Sequence, residues 1–133
     1  MHKWNVPLTY LPKIPKVISG ECTQTIRTGR KYAVGDLIRF YTWTGKPYRS
    51  KRQTITEYMP IIEVIGVYLG NCTFGYMSVG CGYHWNSPLI DEIARRDGIV
   101  PPTGEALRDV LIQKNGKIPE NGIESQIVRW KFG

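Results

Sequence analysis

The sequence predicts an α+β fold in which mainly antiparallel strands close into a small barrel-like core with flanking helices. Residues 22–85 are rich in β-branched and aromatic side chains divided by Gly and Pro, which favours strands joined by turns. Two stretches with helical spacing of apolar residues follow, and an alternating segment ends the chain. We expect a single domain over residues 1–133.

The strand prediction is clearest where turn residues separate the apolar segments. The predicted strands cover residues 22–27, 37–43, 53–69, 72–85 and 123–132. The third is too long for one strand, so Pro60 or Gly66 is expected to bend or break it, and the fourth is a strand or a hairpin. Residues 1–16 are predicted to be an irregular lead-in because three prolines interrupt them, with one helical turn at 16–20.

Both helices are predicted from a capping residue followed by an apolar stripe. Ser87 is the expected N-cap of a helix over residues 88–96, which Gly98 ends. Thr103 is the expected N-cap of a second helix over residues 104–114.

Composition argues against membrane, metal and cofactor proteins. No apolar run approaches the ~20 residues that cross a bilayer, and no hydrophobic signal region opens the chain, so we expect a cytoplasmic protein with no membrane partner. Cys22, Cys72 and Cys81 form no Cys-x-x-Cys pair, which favours reduced, buried thiols and no metal site. No nucleotide-binding signature is present, so we expect no cofactor.

Positive charge is concentrated in the first part of the chain. The net charge is +7, and residues 1–52 hold eleven Lys or Arg against only Glu21 and Asp36. Residues 53–133 hold seven against nine acids. Concentrated positive potential attracts polyanions, which indicates a nucleic-acid partner; a solvated basic surface with no partner is the alternative.

The strand at 22–27 carries polar side chains on one face. Thr23, Thr25 and Arg27 share that face because side chains alternate along a strand. Hydroxyls and a guanidinium are poor core material, which predicts a cleft or a ligand beside them. An ordinary exposed strand face is the alternative.

A basic loop at residues 44–52 combines cations, a hydroxyl and aromatic rings. Lys and Arg hold phosphates, and single-stranded bases stack on Trp or Tyr, although a solvated hairpin tip has the same composition. The predicted nucleic-acid-binding residues are Thr25, Arg27, Arg30, Lys31, Trp43, Lys46, Tyr48, Arg49, Ser50 and Lys51.

Asp97 is the most suggestive carboxylate. Helical spacing from Ile90 and Ile93 places it on the buried stripe, at a helix end where the dipole disfavours negative charge. This position predicts a cation or hydroxyl partner. The alternative is an Asp-Gly turn after a frayed helix.

Four segments together resemble an ASCH domain, a member of the PUA-like superfamily. They are Gly20–Arg27, Val34–Phe40, Gly45–Lys51 and Ile93–Gly98, and the likeness extends from about Val17 to the last strand. The resemblance implies a β-barrel with helices around it and a cleft beside the first segment. It also implies association with RNA.

The same resemblance implies a second activity. Some small ASCH proteins remove the acetyl group from acetylated cytidine, and ribonuclease activity is also attributed to the family. The amidohydrolases carry a Lys and a Thr in the first segment and an acid after the helix. The threonine matches Thr25 and the acid falls at or near Asp97, but Cys22 stands at the lysine position. Either the chain does not carry out this reaction, which we favour, or another cation such as Lys46 or Lys51 supplies the amine.

We therefore expect a nucleic-acid-binding module for RNA or single strands, with a basic cleft. The alternative is a small hydrolase with Thr25 or Cys22 as nucleophile and Asp97 as acid or base, so enzyme activity is left open. A buried, inert Cys22 is the simpler interpretation of that thiol. A protein-binding scaffold built on the aromatic strands at 72–85 is a third hypothesis.

Overall fold

The computed structural model describes residues 1–46, 49–78, 82–116, 118–119 and 122–132. These residues form an α+β fold with mostly antiparallel strands, as the sequence predicted. The strands are β1 (Lys3–Pro7), β2 (Gln24–Thr28), β3 (Leu37–Trp43), β4 (Arg52–Thr54), β5 (Met59–Leu69), β6 (Thr73–Tyr76), β7 (Gly82–His84) and β8 (Ile123–Trp130). The helices are α1 (Lys13–Ser19), α2 (Pro88–Arg96) and α3 (Gly104–Asn115).

Strand β5 is the branch point of the sheet. Its first residues pair with β3, its length from Ile61 onward pairs with β8, and its last three residues also pair with β6. Strand β2 adds to β8, β7 to β6, and β1 to β3 in parallel. Among the described strands the sheet does not close.

Side chains, not a backbone ladder, connect β2 and the turn after it to β1. The Arg27 Nη2 donates to the Pro7 carbonyl at 2.8 Å, and the Arg30 Nη1 donates to the Asn5 carbonyl at 3.3 Å. Two guanidinium groups therefore span the gap between two sheet edges.

Two apolar cores lie on opposite faces of β8, because its successive side chains alternate. Ile127 packs with α2, α3 and the ends of β5 and β6, whereas Val128 packs with β1, β3 and α1. Both side chains are fully buried. Because β8 is buried on both faces, it positions the layers on either side of it. Strand β2 pairs with β8, so successive side chains of β2 also alternate between the two cores.

The helix predictions are confirmed with their caps. The Ser87 Oγ accepts a hydrogen bond from the Leu89 N–H, and the Thr103 Oγ1 accepts one from the Ala106 N–H. Helix α2 has the predicted bounds, and α3 extends one residue further, to Asn115.

The predicted irregular lead-in is wrong, because residues 1–16 contain β1 and the first turn of α1. The Asp36 carboxylate holds β1 in place by accepting from the His2 N–H and the Trp4 indole N–H, each at 3.0 Å. These hydrogen bonds lower the pKa of Asp36. Pro15 lies in the first turn of α1, where a missing N–H costs no helical hydrogen bond.

The predicted break in the strand at 53–69 falls elsewhere. Residues 55–58 separate β4 from β5, and both Pro60 and Gly66 lie inside β5. Pro60 is tolerated beside Leu37 because it lies at the end of the β3 ladder. The last strand ends at Trp130 because Phe132 leaves the sheet to pack on Gly20, where a Cβ would lie 2.6 Å from the ring.

Candidate functional site

Three polar side chains meet inside the protein at the junction of α1, β2 and the end of α2. The Lys13 Nζ lies 3.1 Å from the Thr25 Oγ1 and 3.2 Å from the Asp97 Oδ1. Lys13, Thr25 and Asp97 are 1%, 0% and 4% exposed. We call these three residues the buried trio. Because a buried charge is costly unless paired, the ammonium and the carboxylate stabilise each other here.

Local structure brings each member of the trio to this point. Lys13 and Val17 are one helical turn apart on α1 and both face inward. Asp97 is the C-cap of α2, and Gly98 follows with a φ of 76°. A Cβ on Gly98 would make only ordinary contacts, 3.4 Å from the Lys13 Cγ and 3.5 Å from the Cys22 Sγ, so the positive φ is what favours glycine at this turn.

The predicted cation partner of Asp97 is confirmed, but sequence reasoning missed which cation it is. Lys46 and Lys51, the proposed sources of the amine, are exposed on the loop between β3 and β4. The amine comes instead from Lys13, in the segment that was predicted to be irregular. The sequence signal for Lys13 was its position four residues before the apolar Val17. That spacing indicates an inward-facing lysine only if residues 13–19 are recognised as a helix.

Cys22 lies beside the trio as a buried thiol. Its Sγ is 3.3 Å from the carbonyl oxygens of both Gln24 and Arg96. Burial raises the pKa of Cys22, against the opposing charge of Lys13. Since the thiolate is the reactive form, this environment favours the inert-thiol interpretation over the nucleophile. Cys72 is free and exposed, which corrects the expectation that it is buried, and Cys81 lies outside the described residues.

A cleft of about 310 Å³ adjoins β2 at the residues that follow Thr25. It is lined by Pro7, Thr9, Ile26, Arg27, Thr28, Gln113 and Lys114. Burial lowers the pKa of Lys114 to about 7, with further lowering by the charges of Arg27 and Lys13 and an opposing effect of Asp97. Lys114 therefore lines the cleft within electrostatic range of the trio, and near neutral pH much of it is an uncharged amine.

A second cleft, of about 410 Å³, contains the predicted basic turn after β2. Arg27, Arg30 and Lys31 line it together with Met77, Gln126 and four other residues. Arg30 and Lys31 are exposed, and the Arg30 guanidinium lies 5.7 Å from the centre of the Trp4 ring. Burial lowers the pKa of Arg27, which reaches both clefts.

The predicted binding loop at 44–52 is a hairpin closed by its own hydrogen bonds. The Ser50 Oγ donates to the Lys46 carbonyl at 2.8 Å and accepts from the Gly45 N–H at 3.0 Å, so Ser50 shapes the loop. Lys46, Arg49 and Lys51 are exposed, and Trp43 is half-buried. Tyr48 lies outside the described residues.

No family model, curated protein or solved structure matches this chain. In the described ranges no helix has the length and apolar character to span a membrane. Nor do three or more His, Cys, Asp or Glu side chains in those ranges gather as metal ligands.

Replacing one member of the Lys13–Asp97 pair should destabilise the protein more than replacing both. Lys13→Met alone leaves a buried carboxylate without its cation, for which we expect a loss of about 3–5 kcal/mol in the free energy of unfolding. The double variant Lys13→Met with Asp97→Asn should recover much of that loss, as urea denaturation will measure. The exposed Arg95–Glu92 pair is the control and should show no resolvable coupling; equal behaviour of both pairs would contradict a buried ion pair.

Lys114→Met should raise thermal stability more at about pH 6 than at about pH 9. A lysine whose pKa is about 7 in the folded state and near 10.5 when unfolded penalises folding fully below pH 7. The penalty fades as pH rises from 7 toward the unfolded value, because the folded state is then already deprotonated. Melting temperatures of the two proteins across this range measure it, and a pH-independent difference would contradict the lowered pKa.

Proposed function

We propose that this chain is a small hydrolase that cleaves an acyl bond, with Thr25 as the nucleophile. The observation that carries the proposal is the buried ammonium of Lys13 between a threonine hydroxyl at 3.1 Å and a carboxylate at 3.2 Å. A hydroxyl needs a base within hydrogen-bond reach to become a nucleophile, and an amine can be that base when it is neutral.

The first half of the reaction uses all three groups. Transfer of a proton from the Lys13 Nζ to the Asp97 carboxylate leaves a neutral amine against the Thr25 hydroxyl. The Oγ1 then attacks the substrate carbonyl carbon while its proton moves to the Lys13 Nζ. As the tetrahedral intermediate collapses, Lys13 gives this proton to the leaving nitrogen, and the acyl group stays on Thr25 as an ester.

Water completes the reaction. The neutral Lys13 amine takes a proton from a water molecule that attacks the ester, and the Thr25 oxygen regains a proton as the carboxylic acid leaves. Asp97 then returns its proton to the Lys13 amine, which restores the ammonium, the carboxylate and the threonine hydroxyl. One amide and one water thus give one acid and one amine.

The cleft lined by Arg27 and Lys114 is the entrance that this proposal requires. Because the trio is buried, a side chain of the cleft wall has to move before a substrate carbonyl reaches Thr25. Arg27 is a cation that lines this cleft, so it lies where substrate negative charge would be stabilised, and Lys114 beside the same cleft is a largely neutral amine near pH 7.

The resemblance to ASCH amidohydrolases supports this choice and suggests the substrate. Thr25 and Asp97 occupy the matching positions, and Lys13 supplies the amine that Cys22 does not. The acetyl group on the exocyclic amine of acetylated cytidine is therefore the first substrate to test. A PUA-like fold is part of the same proposal, and the mainly antiparallel sheet with its flanking helices supports it, although the described strands do not close into a barrel.

Thr25→Val should abolish release of acetate from N4-acetylcytidine, whereas Thr25→Ser should retain activity. Valine keeps the volume and removes the nucleophilic oxygen, while serine keeps the oxygen, so we expect a loss of at least about a hundredfold in kcat/KM only for valine. Chromatography of cytidine product measures it, with circular dichroism confirming that both variants fold. Equal activity of the two variants, or no turnover by the unaltered protein, would overturn the proposal.

A nucleic-acid-binding module, the first expectation from the sequence, is our second candidate function. The observation that favours it is the larger cleft, where Arg27, Arg30 and Lys31 converge on one opening. Three cations on one short segment suit a phosphate backbone, and the charge asymmetry of the chain would steer such a partner to it.

The double variant Arg30→Ala with Lys31→Ala should weaken binding of labelled single-stranded RNA and reduce its salt dependence. On a single strand each lost phosphate contact lowers the slope of log affinity against log salt by about 0.7, so the slope should fall by about 1.4. Fluorescence anisotropy at about 50 and 200 mM salt measures both quantities. An unchanged slope would exclude the basic turn as a phosphate site.

A further inference from the structure

The sheet formed by β1, β3 and β4 has one face that belongs to neither core. Val6, Ile38 and Phe40 point into the core, so the alternate residues point away from it. The strand register places six charged, amide or aromatic residues of β1, β3 and β4 together on this side, and Tyr58 contacts Arg39 from the following segment. We call these residues the outer face: Lys3, Asn5, Arg39, Tyr41, Trp43, Arg52 and Tyr58.

Cations of the outer face lie over its aromatic rings. The Arg52 guanidinium is 4.6 Å from the centre of the Tyr41 ring and 5.5 Å from that of Trp43. The Arg39 guanidinium is 4.4 Å from the Tyr58 ring, and its Nε donates to the Asn5 Oδ1 at 3.0 Å. Tyr41 is only 8% exposed although it belongs to neither core, because Arg52 covers it.

In the described part of the chain, no carboxylate pairs with the positive charges of this face. Among the described residues, Lys3, Arg39 and Arg52 form no ion pair with a carboxylate. The acid beside Tyr58 in the sequence is Glu57, which is exposed and joins none of them in an ion pair. A face with planar cations and no paired acids is complementary to a flexible polyanion that has planar groups of its own.

We propose that the outer face binds single-stranded nucleic acid, with bases stacked on the guanidinium planes of Arg39 and Arg52. Each guanidinium already lies over an aromatic ring, so a base that stacks on its other side orders a side chain that has a contact before binding. Four residues along β3 separate Arg39 from Trp43, which is the partner of Arg52 across the ladder. The two strand positions are about 13 Å apart, and the Arg52 guanidinium itself lies closer to the Tyr41 ring than to the Trp43 ring.

Single strands fit this surface better than duplexes because the faces of their bases are open to stacking. The inference deepens the second candidate function by assigning a surface and a strand form to it, and its stacking contacts need none of the residues of the buried trio or of the two clefts. The hydrolase reaction can fail while this surface binds, and the reverse also holds.

The test is anisotropy of labelled oligouridylate and oligodeoxythymidylate with the whole protein and three single variants. Arg52→Ala should weaken binding about tenfold, because one base then has no guanidinium to stack on. Arg52→Lys keeps the charge but not the plane, and should still bind at least about threefold more weakly than the unaltered protein. Lys131→Ala removes an exposed cation near the other end of the chain and should change affinity by less than about twofold.

Each outcome decides a different point. If Arg52→Lys binds as tightly as the unaltered protein, stacking is overturned. If Lys131→Ala weakens binding as much as Arg52→Ala does, binding depends on the overall positive charge of the protein and not on the outer face. A duplex or an anionic lipid vesicle that competes as well as the single strand would also overturn the proposal. If Arg30→Ala with Lys31→Ala loses binding while Arg52→Ala does not, the nucleic-acid function stands and the outer face is not its site. The two labelled strands show whether the sugar matters.

Discussion

The buried contact between Lys13 and Asp97 is the constraint on which the rest of the site depends. An ion pair inside a protein must recover the large cost of removing both charges from water, and it does so only when geometry and neighbours are fixed. Its surroundings are constrained as well: Gly98 follows Asp97 with a positive φ, and burial raises the pKa of the Cys22 thiol and lowers that of Lys114. The same pair fixes α1 to the end of α2.

Because β8 is buried on both faces, its neighbour β2 can place Thr25 beside the contact between Lys13 and Asp97. Strand β2 pairs only with β8 in the described residues, so Thr25 lies opposite Val128 on the face that looks toward α1. Ile26 lies opposite Ile127 and packs toward α2 and α3. One short strand therefore contributes the Thr25 hydroxyl to one layer and the apolar Ile26 to the other, and Lys13 of α1 contacts both Thr25 and Asp97.

The net charge of the chain does not show that its buried and exposed cations have different surroundings. Inside, the ammonium of Lys13 is matched by one carboxylate and sits against a hydroxyl. Outside, the cations of the basic turn and of the outer face carry no such partner among the described residues. The interior arrangement suits proton transfer, and the exterior arrangement suits a polyanion, so an enzyme acting on a nucleic acid would use both.

The sequence by itself determined the local structure and the kind of partner that single residues need. The caps at Ser87 and Thr103, the strand at 37–43 and the need of Asp97 for a cation all follow from short-range spacing. Tertiary structure decided which groups meet, because contacts between distant segments leave no periodic trace in the chain. Thus β1 exists through parallel pairing with β3, and the Lys13 amine reaches Asp97 only after α1, β2 and α2 have packed.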